Sequence, residues 1–379
     1  MVSQNQHPLP PQQSRRGLIA GNYCHDVLIK DGTVVAETLG GAASFVSAIL
    51  DALSIPSTYV AKVGPDFAYS VDHSPIVSPL SETTLFHAHF SSQPRRQDRV
   101  LKRVRACNPI LPSDLPGSRF DFGMAVGVAG EILPETLERM LDSCDLVFVD
   151  IQALIRVFDS DDGTVRLVGL KDSGFFHLLP RIGFLKASAE EAPFIDLDEA
   201  RKWCCVVVTS GKDGCTVYWK DGEAQIAPFP AVQVDPTGAG DSFLGGFAVG
   251  LIQGLAVPDA ALLGNFFGSL TVGRIGLPNF DSKLMQKVKD EIYRRKMQCS
   301  TYPERWDEGL KFMKQLGHDQ FHASLGAAKL TCRIQEHGHE LSSSPLAVEQ
   351  DMYHQLTGQQ KSLLDSVYEE PIKSVCGKP

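Results

Sequence analysis

The stretch that decides the fold reads Asp235-Pro236-Thr237-Gly238-Ala239-Gly240-Asp241-Ser242-Phe243. The three residues before Asp241 carry little or no side chain, so their backbone amides can approach an anion closely. The small and apolar residues that follow predict a helix over 242–254, whose N-terminus adds the positive end of its dipole at the same point. The stretch therefore predicts an anion-binding turn with one carboxylate beside it.

An aspartate beside such a turn can take the proton from a substrate hydroxyl as the hydroxyl oxygen attacks the γ-phosphate of a nucleotide. The alternative is a helix start that uses Gly and Asp only as N-terminal signals. Seven ordered positions, between a predicted strand at Ala231–Val234 and the predicted helix, favour the phosphate site. We therefore expect phosphoryl transfer with Asp241 as general base.

Composition is that of an ordinary globular chain. The 379 residues are 43% hydrophobic and 21% charged, which fits one large α/β domain with a small appendage. The 36 Lys and Arg residues against 45 Asp and Glu residues leave the chain mildly acidic. Since nucleic-acid binding relies on excess positive charge, we expect no nucleic-acid partner.

Three features bear on the location of the protein. Its nine cysteines form no C-x-x-C pair and are odd in number, as expected for reduced thiols in the cytoplasm. Residues 1–16 lack an apolar core, so we expect a disordered leader rather than a signal peptide or membrane anchor. Glycines and Pro258 interrupt the most apolar stretch, Phe243–Leu277, and predict two buried helices rather than a membrane span.

Predicted strands alternate with helices along the chain, which indicates a parallel sheet covered by helices. The predicted strands are Gly17–Ala20, Ser57–Val63, Asp121–Val128, Leu146–Asp150, Ile182–Lys186 and Cys205–Thr209, with helices over Ser44–Leu53 and Pro134–Ser143.

Shorter β elements lie between these units. Asp31-Gly32 and Asp221-Gly222 are turn dipeptides, and each predicts a hairpin. The hairpin strands are Val27–Ile29 with Thr33–Ala36, and Cys215–Trp219 with Ala224–Ala227, while Thr84–Phe90 and Val100–Ala106 are two further strand-like segments.

The glycine turn and its aspartate resemble the second signature of the ribokinase-like, or pfkB, carbohydrate kinases, whose pattern is Asp-x-x-Gly-Ala-Gly-Asp. The resemblance extends over residues 17–295 and implies a three-layer α/β/α sandwich with a small β lid. It divides the chain into a leader (1–16), a kinase domain (17–295, with lid elements within 22–38 and 84–107) and a C-terminal extension that is partly helical or disordered (296–379).

The resemblance also implies an ATP-dependent phosphotransferase with Mg²⁺, and with K⁺ as a further cation. Asp241 falls on the family's base, and Gly238, Ala239 and Gly240 fall on its anion hole. Around the nucleotide and its ions it places Ser188 and Glu191 (the Asn-x-x-Glu motif, with Ser in place of Asn), Thr209 and Gly211 (the Thr-x-Gly turn), Asn265, and, for a monovalent cation, Asp235 and Thr237.

For the acceptor, the resemblance implies a site at Asp26, Gly40 and Gly41. An ionised Asp can accept two hydroxyl hydrogen bonds, although an Asp after a first strand is also typical of a turn cap. Phe45 stands where ribokinases carry Asn, which argues against ribose. Three segments are most similar to plant myo-inositol kinases and imply transfer of the γ-phosphate to a myo-inositol hydroxyl, namely 21–26, 39–45 and 86–90.

Two other functions stay open. One is a kinase of fructose, another sugar or a nucleoside; the other is a catalytically silent scaffold with a pfkB-like fold. The intact 238–241 turn favours an enzyme, whereas Ser188 keeps the scaffold open. His87 and His89 share one side of a predicted strand, but without a third ligand they do not predict zinc. We expect them either in solvent or hydrogen-bonded to substrate.

Overall fold

A computed structural model describes residues 15–90, 100–299 and 311–338, with side chains up to residue 298 and over 311–330. The chain divides into two units, residues 1–328 and 329–379. Of the second unit the described part is the end of a helix, and all contacts below belong to the first. The predicted leader, apart from residues 15 and 16, and most of the predicted extension lie outside the described residues, and the predicted domain bounds stay a prediction.

Sixteen strands occur in the described residues. In chain order they are β1 (Gly17–Ala20), β2 (Cys24–Lys30), β3 (Thr33–Gly40), β4 (Ser57–Val60), β5 (Lys62–Val63), β6 (Ile76–Val77), β7 (Thr84–Phe90), β8 (Val100–Arg105), β9 (Phe122–Ala125), β10 (Val147–Asp150), β11 (Arg156–Phe158), β12 (Val165–Leu167), β13 (Phe184–Ser188), β14 (Cys205–Thr209), β15 (Cys215–Trp219) and β16 (Gly222–Ile226).

Eight α-helices occur in the same ranges. They are α1 (Ala42–Ala52), α2 (Pro134–Ser143), α3 (Gln152–Ile155), α4 (Leu197–Ala200), α5 (Ala239–Ile252), α6 (Val257–Thr271), α7 (Ser282–Cys299) and α8 (His318–Gly338). None of the helices in the described ranges has the length and apolarity that crossing a membrane requires.

The main sheet has eight strands in the order β16-β15-β14-β13-β10-β9-β1-β4. The six strands from β14 to β4 are parallel, and β15 and β16 extend one edge as an antiparallel hairpin. The central strands are buried along their whole length, as expected where helices cover both faces of a parallel sheet. The predicted parallel sheet is confirmed.

A second sheet of four strands, β3-β2-β7-β8, forms the lid. The predicted hairpin is present in it, with Asp31 and Gly32 both at positive φ in the turn. The lid is bonded to the hairpin β11–β12, because the amide of Arg103 on β8 donates to the Gly163 carbonyl at 2.9 Å. The Arg103 guanidinium also lies 3.5 Å from the centre of the Phe158 ring.

Two predictions about strands are wrong. Residues Ala231–Val234 form no strand, although their side chains alternate in a strand-like way. Val232 and Val234 are exposed, and the Val234 amide donates to the Val272 carbonyl rather than to a strand. Pro230 precedes the segment, and Pro236 follows it after one residue. Ser57–Val63 is two strands, because the amide of Lys62 leaves the main sheet and donates to the Asn22 side chain.

Helices α5 and α6 are the predicted pair of buried helices, and they pack closely through glycine. A Cβ on Gly246 would lie 2.9 Å from the Leu263 carbonyl, and one on Gly250 would lie 2.7 Å from the Cα of Ala260. Glycine is therefore required for this approach. Because α5 begins at Ala239, three residues before the predicted start, Asp241 lies inside its first turn.

A buried ionic network joins α6, α7 and the start of α8. Asp259 accepts from Arg295 Nε at 2.8 Å and lies 2.7 Å from His318 Nδ1. Arg295 also donates to the Leu316 carbonyl at 2.6 Å. All three side chains are almost fully buried. Removing one partner therefore leaves a buried charge without its counter-ion.

We expect Asp259→Ala to lower the free energy of unfolding by about 3 kcal/mol, because Arg295 loses its buried counter-ion. Asp145→Ala removes a carboxylate from an exposed pair with Arg119 and should cost less than about 1 kcal/mol. Chemical denaturation of both variants beside the parent measures the difference. Equal losses would contradict the structural role of the network.

Candidate active site

The candidate site lies at the carboxyl ends of three parallel strands of the main sheet. Asp150, Ser188 and Thr209 are the last residues of the parallel strands β10, β13 and β14. Ligands of open α/β sheets bind outside these carboxyl ends. This edge is therefore where a ligand-binding site is expected.

A cavity lies between the lid and the glycine turn. Its polar lining consists of Asp26 from the lid, Gln152 and Arg156 from the segment after β10, and Thr237 and Asp241 from the turn. The remaining lining is backbone or apolar and comprises Leu28, Gly41, Ala42, Phe45, Phe86, Ala88, Leu101, Val128 and Gly238. The structure thus brings predicted acceptor and phosphate residues to one cavity.

The glycine turn is the N-terminus of α5. Gly238 is its N-cap with φ 76°, a left-handed conformation that favours glycine, and a Cβ there would overlap the Phe45 ring. A Cβ on Gly240 would lie 2.7 Å from Lys186 Nζ. Amides of a first helical turn have no intrahelical acceptor, so this partly exposed turn can bind an anion.

Asp241 is partly buried beside the turn. Gln152 Nε2 donates to its Oδ1 at 3.0 Å. Burial raises the pKa of Asp241, and the nearby cations of Lys186 and Arg156 offset only part of that rise. A carboxylate with a raised pKa is a stronger base than a solvated one, as a proton acceptor requires.

Lys186 and Asp150 form a buried ion pair that the sequence analysis missed. Lys186 Nζ lies 3.0 Å from Asp150 Oδ2, and their side chains are 6% and 0% exposed. Burial raises the pKa of Asp150 to about 6. Burial alone would lower the pKa of Lys186, but Asp150, Glu191 and Asp241 raise it above its ordinary value. Lys186 is therefore a permanent cation at this edge.

Ser188 and Glu191 bind each other. The Ser188 amide donates to Glu191 Oε2 at 2.8 Å, and the Glu191 amide donates to Ser188 Oγ at 3.3 Å. Burial would raise the pKa of Glu191, but Lys186 and Arg156 lower it below the ordinary value. An ionised carboxylate with a neighbouring hydroxyl suits Mg²⁺ and its water ligands.

Asp235 and Thr237 also bind each other at the start of the turn. Asp235 Oδ1 accepts from the amide of Thr237 at 2.9 Å and from its hydroxyl at 2.7 Å. The Asp235 carboxylate is buried, and its oxygen atoms suit a hard cation. Within the described ranges, no three His, Cys, Asp or Glu side chains are placed to hold a metal ion.

Of the residues predicted at the nucleotide, only Gly238 and Asp241 are among those that line the cavity, and the remaining ones are Ser188, Glu191, Thr209, Gly211, Ala239, Gly240 and Asn265. Thr209 Oγ1 donates to the Ala187 carbonyl, and Gly211 has φ 53° with open space beside it. Asn265 Nδ2 donates to the Ala227 carbonyl at 2.9 Å. One turn further along α6, a Cβ on Gly268 would lie 3.2 Å from the Ala239 carbonyl, so Asn265 lies close to the start of α5.

Asp26 lies within β2 and not in a turn. A Cβ on Gly40 would overlap its carboxylate, so Gly40 borders Asp26 rather than lining the cavity. Gly41 does line it, at φ 86°. His87 and His89 alternate along β7 with the cavity residues Phe86 and Ala88, so both histidines belong to the opposite face of the lid.

Four polar residues of the site were missed: Asp150, Gln152, Arg156 and Lys186. Gln152 and Arg156 lie on α3 and β11, in a segment with no predicted element. One signal was available for Lys186, since a lysine in the buried strand Phe184-Leu-Lys-Ala-Ser188 is unusual without a partner.

Comparison with protein families and known proteins gives a consistent result. The model of the pfkB family of carbohydrate kinases matches residues 190–283. An inositol 3-kinase of Arabidopsis thaliana is 59% identical over 338 residues, which is 86% of this chain and 93% of that protein.

Two solved structures share the fold. One is a pyrophosphate-dependent kinase of the ribokinase family complexed with a pyrophosphate analog and myo-inositol (TM-score 0.58, 17% identity, 70% of this chain and 98% of that one). The other is a Vibrio cholerae fructokinase bound to fructose, ADP and potassium ion (TM-score 0.55, 17% identity, 74% and 98%). They confirm the predicted ribokinase-like fold class.

We expect Gly238→Ala to lower the free energy of unfolding by at least about 2 kcal/mol, because a Cβ meets both a left-handed backbone and the Phe45 ring. Gly326→Ala is the control. Residue 326 lies in α8 with open space beside it, so alanine there should stabilise by about 0.5 to 1 kcal/mol. Denaturant titration measures both, and an unaffected Gly238 variant would contradict the packing described.

Proposed function

This chain belongs to the pfkB family of carbohydrate kinases, and from that premise we propose how its residues transfer phosphate to a cyclitol. The protein is an ATP-dependent kinase of myo-inositol, a phosphotransferase with an alcohol group as acceptor. The observation that carries this function is the 59% identity to an inositol 3-kinase across 93% of its length.

Asp241 is the general base. Its raised pKa and its place in the cavity support this role. The acceptor hydroxyl gives its proton to the carboxylate while its oxygen attacks the γ-phosphorus, and the bond from that phosphorus to ADP breaks. Gln152 fixes the Oδ1 atom, so the carboxylate keeps one orientation toward the acceptor. The first-turn amides of α5 hold the transferred group.

The acceptor lies in the cavity under the lid. Asp26 accepts hydrogen bonds from two ring hydroxyls, and Arg156 donates to a third. The apolar wall around Phe45 and Phe86 packs against the C–H faces of the ring. A cyclitol carries hydroxyl groups around its whole edge, and this combination of polar and apolar lining suits it.

We assign the ion sites by their donor groups. The ionised Glu191 and the Ser188 hydroxyl fit Mg²⁺ through its water ligands, and Asp235 with Thr237 fits K⁺. When bound, Mg²⁺ neutralises phosphate charge. Thr209, Gly211 and Asn265 border the nucleotide. A fructokinase of this fold binds ADP and potassium ion, which supports this assignment.

We further propose that the enzyme works in the cytoplasm, with polyol and nucleotide as its partners. The six cysteines whose side chains are described are all buried free thiols, which supports a reducing compartment.

We expect Asp241→Asn to lower kcat by about 10²- to 10⁴-fold, because the amide cannot accept the proton, while the dissociation constant for ATP changes little. Asp145→Asn, at an exposed pair remote from the cavity, is the matched control. Coupled ATP-consumption kinetics and calorimetric ATP binding measure the two effects. Wild-type turnover in Asp241→Asn would contradict the assignment of Asp241 as general base.

We expect myo-inositol to be the preferred acceptor over fructose, ribose and adenosine. Asp26→Ala should raise the Michaelis constant for myo-inositol about 10- to 100-fold, because ring hydroxyls lose a charged acceptor, with little change for ATP. Steady-state kinetics in which each substrate is varied in turn measure the two Michaelis constants. Equal rises in the Michaelis constants for both substrates would show that Asp26 has a structural role. A preference for fructose would contradict myo-inositol as the acceptor.

A further inference from the structure

We propose that Lys186 is a catalytic residue whose ammonium contacts the transferred phosphoryl group, and that Asp150 is the positioning residue that holds it there. The proposal rests on the proposed function, because it needs a phosphate at the N-terminus of α5. Three observations carry it: the burial of the pair, the place of Nζ beside the glycine turn, and the connection of Asp150 to the general base.

Burying the Lys186–Asp150 ion pair costs desolvation free energy, and the stability of the fold does not require an ion pair at this place. Lys186 lies between Leu185 and Ala187 on β13, both fully buried, at a position that an apolar side chain would fill at lower cost. Its ammonium meets the Asp150 carboxylate, which is 0% exposed. Replacing such a pair by apolar residues is often neutral or stabilising, so stability does not account for it.

The position of the Lys186 ammonium explains why this ion pair is buried here. Lys186 Nζ lies 2.7 Å from the point that a Cβ on Gly240 would occupy, so it borders the second residue of α5. The first-turn amides point to the space where an anion binds. A phosphoryl group there meets the amides on one side and the ammonium on the other. A side chain at residue 240 would displace the ammonium from this position.

Asp150 connects Lys186 to the general base. Its Oδ2 binds Lys186 Nζ at 3.0 Å, and its Oδ1 accepts from the amide of Gln152 at 3.3 Å. The Gln152 side chain in turn holds Asp241. One buried carboxylate therefore orients both the cation beside the phosphate and the group that holds the base.

The local charge explains why a cation is needed. Asp150, Glu191 and Asp241 contribute three carboxylates near Lys186, against the cations of Lys186 and Arg156. Further negative charge arrives with the nucleotide. A fixed cation beside the transferred group offsets repulsion from the carboxylates, and such preorganised charge stabilises the transition state.

The step needs no proton from Lys186. The acceptor proton moves to Asp241, the oxygen–phosphorus bond to the acceptor forms and the bond to ADP breaks. Lys186 stays protonated throughout, since burial alone would lower its pKa but the surrounding carboxylates raise it above the ordinary value.

The competing explanation is that Lys186 serves only to neutralise Asp150. Two variants separate the explanations. Lys186→Met removes the cation and leaves a buried carboxylate, whereas the double variant Lys186→Met with Asp150→Asn removes both charges and relieves that penalty. Lys202→Met, at an exposed lysine paired with Glu199, is the matched control.

We expect both Lys186 variants to lose about 10²- to 10³-fold in kcat with ATP and myo-inositol, with the Michaelis constant for myo-inositol changed less than about threefold. Calorimetry without acceptor adds a second measurement. The preference for Mg·ATP over Mg·ADP should fall at least about tenfold, because the ammonium contacts the γ-phosphate that ADP lacks. The control should match the wild type in both.

The double variant decides the outcome even where Lys186→Met alone fails to fold. Near-wild-type kcat in a folded double variant, or an unchanged preference for ATP over ADP, would overturn the proposal. Failure of the proposed function is a separate result. In that case the wild-type protein would turn over a different acceptor, while the binding measurement, which uses no acceptor, would still report on Lys186.

Discussion

The charge balance around Lys186 is the constraint on which the rest of the site depends. Asp150 at the end of β10, Glu191 in the turn after β13 and Asp241 in α5 reach the same edge of the sheet. In a poorly solvated space, neighbouring carboxylates raise one another's pKa until one takes up a proton. With Lys186 and Arg156 present, Glu191 has a lowered pKa while that of Asp241 is raised. Two carboxylates in one site therefore differ in basicity, which fits one for ion binding and the other for proton transfer.

That charge balance requires α5, which carries Asp241, to stay in a fixed position. Close packing at its glycines holds α5 there. Gly238 brings the start of α5 against Phe45 of α1, and Gly246 brings the middle of α5 against α6. Near its start α6 is tied to α7 and the start of α8 through Asp259. The helix that carries Asp241 is thus held in place by contacts that reach residue 318. The family resemblance ends near residue 295, so contacts with residues beyond it could not be expected from the sequence.

Elements with a strong local pattern were predictable. The bounds of α2, β1, β7, β14 and β15 agree with those expected from the sequence, because their apolar periodicity and turn residues are local. The predicted strand at Ala231–Val234 was wrong because a strand also needs a neighbouring strand to pair with, and the local sequence pattern does not show whether one is present. The same applies to the site. The motif identified the turn and Asp241, but Asp150 pairs with a lysine 36 residues away, and Gln152 binds an aspartate 89 residues away.

The hairpin β11–β12 links the lid to the charge balance. Arg156, one of the two cations near Asp241, is the first residue of β11, and the same hairpin is bonded to the lid strand β8 through Arg103. The lid also carries Asp26, which lines the opposite side of the cavity. The lid is therefore bonded to the hairpin that carries Arg156, a cation that opposes the rise that burial causes in the pKa of Asp241. Because Asp26 on the same lid is the proposed acceptor residue, this hairpin connects the proposed acceptor site with the surroundings of the proposed base.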